Sequence, residues 1–295
     1  MKSFLLASLL ALEPALFAAD PPGTPPPPVV SYRLSEIVKS RTPGGEMGSA
    51  LSALVTVQGE RARLESERPL PRSSVRVVLS GEKGLTFLDL TEKLAAAGTR
   101  EDFQALFQGR AGAEPGTAAN AYREVAASIE RDGAGKPVDG RTSTRYRVQI
   151  SYILRTLTPG RVQHVKSEIK GTIETLDLDA ARSPFDDLSR LFLVRGDVRE
   201  AVDRELAKVK GLPVAVALEA VSEMSAEVMA VPGGGAPDTE PAQPPLKSTR
   251  TVTRKLTALS VREGKAQSPA LFDVPEDFHD RGLDRLLGGA SPVLR

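Results

Sequence analysis

Leu212-Pro-Val-Ala-Val-Ala-Leu-Glu-Ala-Val-Ser-Glu-Met-Ser-Ala-Glu-Val228 alternates along its length. Leu212, Val214, Val216, Leu218, Ala220, Ser222, Met224, Ala226 and Val228 share one parity. Glu219, Glu223, Ser225 and Glu227 share the other. Period-two alternation predicts a strand with one face on a core, here running to Val231. A helix is the rival reading, because Ala, Glu and Met favour helices and the three Glu are four residues apart. Pro213 suits the start of a strand, and strand is the reading adopted.

The partner is Lys247–Arg262, rich in Thr and β-branched residues, as strands are. Arg250 and Arg254 match the spacing of Glu223 and Glu227. An antiparallel register therefore suggests itself, with Glu227 opposite Arg250, Glu223 opposite Arg254, Leu218 opposite Leu259 and Val216 opposite Val261. The basic residues of this strand can also meet anionic head groups, but pairing with Glu accounts for them without a ligand. Between the two strands, Pro232–Pro245 holds five Pro and three Gly and reads as a flexible loop. After them, Leu271-Phe-Asp-Val-Pro-Glu-Asp-Phe278 reads as a short apolar closing segment.

Upstream, Met1–Ala19 has the form of a secretory signal: Lys2, an apolar run Phe4–Leu12, then small residues. That run is too short to span a bilayer, and no transmembrane segment is expected in the mature chain. Residues 20–30 form a Pro-rich spacer. One domain over 31–280 follows, with a tail at 281–295 that can form a short helix at Gly282–Leu287. Strands alternate with turn chemistry at Thr42-Pro-Gly-Gly45, Gln58-Gly-Glu-Arg61 and Ser80-Gly-Glu-Lys83, which predicts an antiparallel meander.

Residues 99–130 read as a helical insert. Thr99 caps its first helix with Asp102 three residues on, Gly109 ends it, and Ala118–Ile129 forms a second helix. Gly133–Gly140 is a loop. Tyr146, Val148, Ile150, Tyr152 and Leu154 then line one face of the clearest strand. Val162–Leu178 returns, with Val165, Ile169 and Ile173 inward and His164, Lys166, Glu168 and Lys170 outward. Ser183 and Asp197 cap two further helices, and Gly211 ends the second. Asp186-Asp187 fall in a first helical turn, where the helix dipole favours them.

Composition narrows the chemistry. The 295 residues carry net charge +1, so no basic field draws nucleic acid. Aromatics are 4% with no Trp, which argues against stacking platforms. There is no Cys, hence no thiolate metal site, thiol nucleophile or disulfide. Of the two His, His164 sits on a polar strand face and His279 beside Asp277 and Asp280, and neither has metal-ligand spacing around it. No G-x-S-x-G, Walker or dinucleotide fingerprint occurs. The expectation is a non-enzyme with no cofactor and no catalytic or metal residues.

Strands of some eighteen residues are about 60 Å long when straight. A compact domain of this size is nearer 46 Å across, so the strands are expected to curl. The expected class is α+β: a strongly curved antiparallel sheet, an unclosed β-barrel, with helices on its concave face.

Three segments, Gly59-Glu-Arg-Ala-Arg-Leu-Glu65, Lys210-Gly-Leu-Pro-Val214 and Leu271–Phe278, together with the order of elements over Ser31–His279, resemble an exported bacterial family of unknown function. The fold of that family is like the outer-membrane lipoprotein carrier (LolA-like). The segments 99–129 and 232–245 depart from its simple pattern. The resemblance implies an unclosed barrel plugged by helices, in the periplasm. The function expected is to shelter a lipid or other apolar ligand, with Tyr146, Val148, Ile150, Tyr152, Leu154, Leu212, Val214, Val216 and Leu218 lining the cavity. Alternatives are an envelope structural or protein-interaction module with an envelope protein partner, and a hydrolase with an unobvious site.

Overall fold

Turn chemistry lays down the first half of the sheet. The structure, a computed structural model, describes residues 26–286 except 72, 83, 109–118, 159–160, 179–182, 193, 229–244 and 264–266. β1 (Val29–Thr42) and β2 (Gly45–Gln58) are joined across Pro43-Gly44, and β3 (Arg61–Ser66) follows Gly59-Glu60. β4 (Val77–Gly81), β5 (Gly84–Asp89) and β6 (Leu94–Gly98) complete the meander. Gly59 (φ 58°) sits in the left-handed region its tight turn requires. The signal and most of the spacer, Gly109, the 232–244 loop and the tail beyond Leu286 lie outside the described residues.

The expected cap forms at α1 (Arg100–Gln108): the Thr99 backbone N–H donates to Asp102 Oδ2 at 2.8 Å, and Asp102 N–H donates to Thr99 Oγ1 at 3.2 Å. The helix expected at Ala118–Ile129 is not there. Ala118 lies outside the described residues, and residues 119–129 lie in β7 (Ala119–Ala134). A bulge explains the error. Glu124 has φ 51°, and β7 spends three residues, Arg123 to Ala126, where its partner spends two. Tyr122, Val125 and Ile129 therefore all face inward at spacings of three and four, which imitates a helix.

β8 (Ser143–Thr158), β9 (Arg161–Leu176), β10 (Leu212–Val228) and β11 (Leu246–Arg262) are long and antiparallel, as the alternation predicts. β12 (His279–Asp280) adds a short parallel edge on β6 before α3 (Leu283–Leu286). All twelve strands form one sheet, in the order β12-β6-β5-β4-β3-β2-β1-β11-β10-β9-β8-β7. The protein is thus mostly β with few helices, and the sheet is neither closed nor strongly curled. Twelve strands side by side span about 53 Å, so long strands fit a broad sheet without rolling up. The strong curl expected of a compact sphere is therefore not needed to house these strands.

The inner face carries two core clusters. One gathers Leu34, Val55, Leu64 and Phe87 with Phe103 of α1 and Phe185. The other gathers Val148, Ile150, Ile173, Val216 and Leu218 beneath the segment between β9 and β10. That segment, the plug, holds two 3-10 turns (Pro184–Asp186 and Ser189–Leu191) and α2 (Gly196–Leu206). The sequence predicts helices for both parts; only the second is one. Ser183 does cap, accepting from Phe185 N–H at 3.1 Å, but a single 3-10 turn follows. Asp197 lies inside α2, whose cap position is Arg195 with no side-chain cap. On the outer face, Phe278 packs over Val77, Leu79, Leu88 and Ala95.

The β10–β11 register differs from the expected one. Arg250 lies opposite Ala220, Arg254 opposite Val216, and Glu223 opposite Lys247. The offset is odd, so β11 residues swap faces relative to the expectation. A bulge at Ala258 (φ 52°), where β11 spends one residue more than β1, changes which parity of β11 faces inward along its length. Below it Leu259 and Val261 turn inward; above it Val252, Arg254 and Leu256 do.

Gly171 is where β9 and β10 approach most tightly. A Cβ there would fall 2.0 Å from the Ala217 carbonyl oxygen. Gly171→Ala is expected to cost about 2–3 kcal/mol in urea unfolding, whereas Gly81→Ala, where a Cβ meets nothing within 4 Å, stays within about 0.5 kcal/mol.

Candidate functional site

The inner face of β1 reads Tyr32, Leu34, Glu36, Val38, so a carboxylate stands in an apolar row. On β11, the register puts Arg254 directly opposite Glu36. The plug supplies their partners. Arg190 grips Glu36 bidentately, Nη1 to Oε1 at 2.8 Å and Nη2 to Oε2 at 2.5 Å. Arg254 Nη2 donates to Asp186 Oδ1 at 2.7 Å, and Nη1 to the Phe185 carbonyl at 3.3 Å. The Tyr32 hydroxyl donates to the same Asp186 carboxylate at 2.7 Å. All five side chains are buried, the Arg254 side chain completely. The Arg190 guanidinium carbon also lies 5.0 Å from the Phe107 ring centroid, a cation–π contact.

Electrostatics follow from burial and pairing. Burial pushes the Glu36 carboxyl up, but the Arg190 guanidinium more than cancels this, and Arg254 and Arg250 add to it; the carboxyl stays below its ordinary value. Burial pushes the Asp186 carboxyl up, against the pull of Arg254 and the Tyr32 hydrogen bond. Burial, then the neighbouring Asp186, hold the Tyr32 phenol far above its ordinary value, so it is a neutral donor. The Nε–H groups of Arg190 and Arg254 are buried without an acceptor among the described residues. Asp187 takes another direction, accepting from Gln104 at 3.1 Å and from the Ser189 backbone at 2.9 Å. The helix-dipole reading of Asp186-Asp187 is thus replaced by an ion pair and a local turn contact.

Above this lock the inner face changes character. Arg250 marks the border, half-buried, donating to the Leu191 carbonyl at 2.7 Å. Burial lowers it to about 10. The next row holds Tyr152, Ser167, Ser222 and Ser248, with Ser167 and Ser222 hydroxyls 2.9 Å apart. Beyond it, Leu154, Val165 and Met224 are register neighbours across three strands, and Leu246 continues the row, half exposed. None of these four belongs to a core cluster. Tyr122 meets Tyr152 edge-on, ring centroids 5.8 Å apart.

The nine residues expected to line a cavity are therefore divided. Tyr146, Val148, Ile150, Val216 and Leu218 pack under the plug against Leu188, Leu191, Phe192, Val198 and Val202. Leu212 and Val214 pack with Leu176 and Phe185 in the other cluster. Tyr152 lies at the border and Leu154 beyond it. The lock residues Tyr32, Glu36, Arg190 and Arg254 went unforeseen. Their available signal was a charge on the inward parity of an apolar strand, Glu36 between Leu34 and Val38.

A cleft of about 340 Å³ opens beside the plug, lined by Arg100, Ser183, Asp186, Asp187, Asp203 and Leu206 among others. Its carboxylates are all engaged, Asp203 with Arg199 at 2.7 Å. His164 lies on the outer parity of β9, and His279 is exposed beside Leu94. Among the described residues no group of three or more His, Asp or Glu is placed to hold a metal, and no helix is long and apolar enough to cross a membrane.

No protein-family model matches the chain, and no curated protein matches it. Among solved structures it is similar to a DUF1329 family protein from Desulfovibrio piger, at 11% identity and a TM-score of 0.24, over 83% of this chain and 89% of that one. A likeness at that TM-score says nothing about what this chain does.

Removing one member of the lock tests it. Glu36→Gln leaves Arg190 buried and unpaired, and is expected to cost about 3–5 kcal/mol at neutral pH. The folded Glu36 titrates below its unfolded value of about 4.3, so its contribution is complete above that pH and fades as pH falls through the folded value. The gap between wild type and variant in urea unfolding should therefore narrow on acidification. Asp186 shifts in the opposite sense but is common to both proteins and cancels.

Proposed function

We propose that this chain is a non-enzymatic binding protein of the bacterial envelope, exported to the periplasm, that shelters an apolar ligand on the open upper part of its inner sheet face. One observation supports the reading: Leu154, Val165 and Met224 form a continuous, half-buried apolar row outside the core clusters of the described residues. A contiguous apolar row left partly open to water marks a place where something can bind. A methionine in the row suits a ligand of variable shape, because its side chain is flexible and polarisable. The signal-like start of the sequence supports export. The resemblance to the lipoprotein-carrier fold supports an apolar ligand, although the half-barrel curl of that fold is not what supports it here.

The lock gives the reading a mechanical basis. The ion pairs fix the plug over the lower strands, so the upper face has a rigid floor and need not be filled by the protein's own side chains. An interaction module is the second reading, favoured by the sixteen-residue edge strand β7. Bulges at both of its register shifts, and Glu205 occupying the Ile129 backbone N–H at 3.0 Å, blunt that edge.

A neutral fluorescent probe, N-phenyl-1-naphthylamine, tests the reading on the full mature chain. The probe should brighten on binding, and Leu154→Glu or Met224→Glu should weaken binding about tenfold or more while leaving the urea midpoint nearly unchanged. Absence of binding to the wild type, or equal binding by both variants, would contradict it.

A further inference from the structure

We infer that the ligand is a single-chain amphiphile with a carboxylate head, and that Arg250 is the residue that holds the head. This rests on the apolar-face reading and specifies its ligand.

Three guanidinium groups, Arg190, Arg250 and Arg254, face the inner sheet surface around the lock, against two carboxylates, Glu36 and Asp186. Each of these two carboxylates is taken by a guanidinium other than Arg250. Glu36 is held by Arg190 through both oxygens, and Asp186 is held by Arg254 and Tyr32. Arg250 is the cation left over. Among the described residues its hydrogen bond is to a neutral backbone carbonyl, Leu191 O, and no carboxylate comes within ion-pair distance of it; Glu36, the carboxylate that acts on it from further off, is already gripped by Arg190. A half-buried guanidinium with no carboxylate of its own in contact gains when an anion arrives to pair with it.

Position supplies the second argument. Arg250 stands opposite Ala220 on β10, at the top of the lock. Moving up the same face, the next row is hydroxyl-bearing, Ser222 and Ser248 opposite each other with Tyr152 two strands away. The row after that is the apolar one, Met224 between Val165 and Leu246. Four residues of strand separate Ala220 from Met224, about 13 Å. Cation, hydroxyls and apolar surface thus follow in one line, the order of a carboxylate head and its alkyl chain. A guanidinium fork suits a carboxylate through two parallel hydrogen bonds. The buried lock beneath blocks deeper entry, so the head stops at Arg250.

The experiment displaces the naphthylamine probe from the full mature chain with decanoate, decan-1-ol and decylamine. Decanoate is expected to bind about tenfold more tightly than the alcohol, and the amine more weakly than the alcohol. Arg250→Gln should abolish the preference for decanoate over the alcohol; Arg250→Lys, which keeps the charge but not the two parallel hydrogen bonds, should retain only part of it. Persistence of the preference in Arg250→Gln overturns the inference. So does equal binding of all three compounds by the wild type, which would leave the apolar-face reading standing. Failure of the wild type to bind even the alcohol would remove both. The comparison of head groups on the wild type needs no variant, so a poorly folding Arg250→Gln still leaves the inference open to refutation.

Discussion

The pairing of Arg254 and Arg190 with Asp186 and Glu36 beneath the sheet is the constraint from which the rest of the structure follows. Buried charges are tolerated only when paired and hydrogen-bonded. Here one member of each pair belongs to the sheet and the other to the plug. Neither can leave without stranding a charge in a dry interior. The plug is therefore held at one place and one angle, which apolar packing alone, being non-directional, does not guarantee. Tyr32 adds a third fastening to the same carboxylate.

That fixed plug divides the inner face into two regions. Below, Val148, Ile150, Val216 and Leu218 are core. Above, Leu154, Val165 and Met224 are only partly buried and belong to no core cluster of the described residues. The same strands serve both regions, because β8, β9 and β10 run past the plug rather than stopping at its edge. Their length is thus explained without strong curl. Arg250 lies at the boundary, where the polar interior meets the open surface.

Much of this was legible in the sequence, and the failures have local causes. Hairpins were readable because Thr42-Pro-Gly-Gly45 and Gln58-Gly-Glu-Arg61 combine turn residues with clean alternation on either side. The β10–β11 hairpin was readable as an element, but its register was not. Matching Arg250 and Arg254 to Glu223 and Glu227 assumed one parity along β11, and the bulge at Ala258 breaks it. The bulge at Glu124 likewise turned a strand pattern into an apparent helix. Bulges depend on tertiary fit, and a single positive-φ Glu or Ala leaves no compositional trace. Of the candidate site, Tyr152 and Leu154 were found from alternation. The lock was not, because Asp186 looks like any first-turn acid until Arg254 is known to face inward.

The division of the inner face is tested most directly by thiol labelling, since the chain has no Cys and each introduced one reports alone. Met224→Cys and Val216→Cys lie on the same strand and the same face, eight residues apart. The account predicts that Cys at the first position reacts with a small thiol reagent nearly as fast as a free thiol, and at the second about a hundredfold more slowly or less. Equal rates at the two positions, fast or slow, would contradict it.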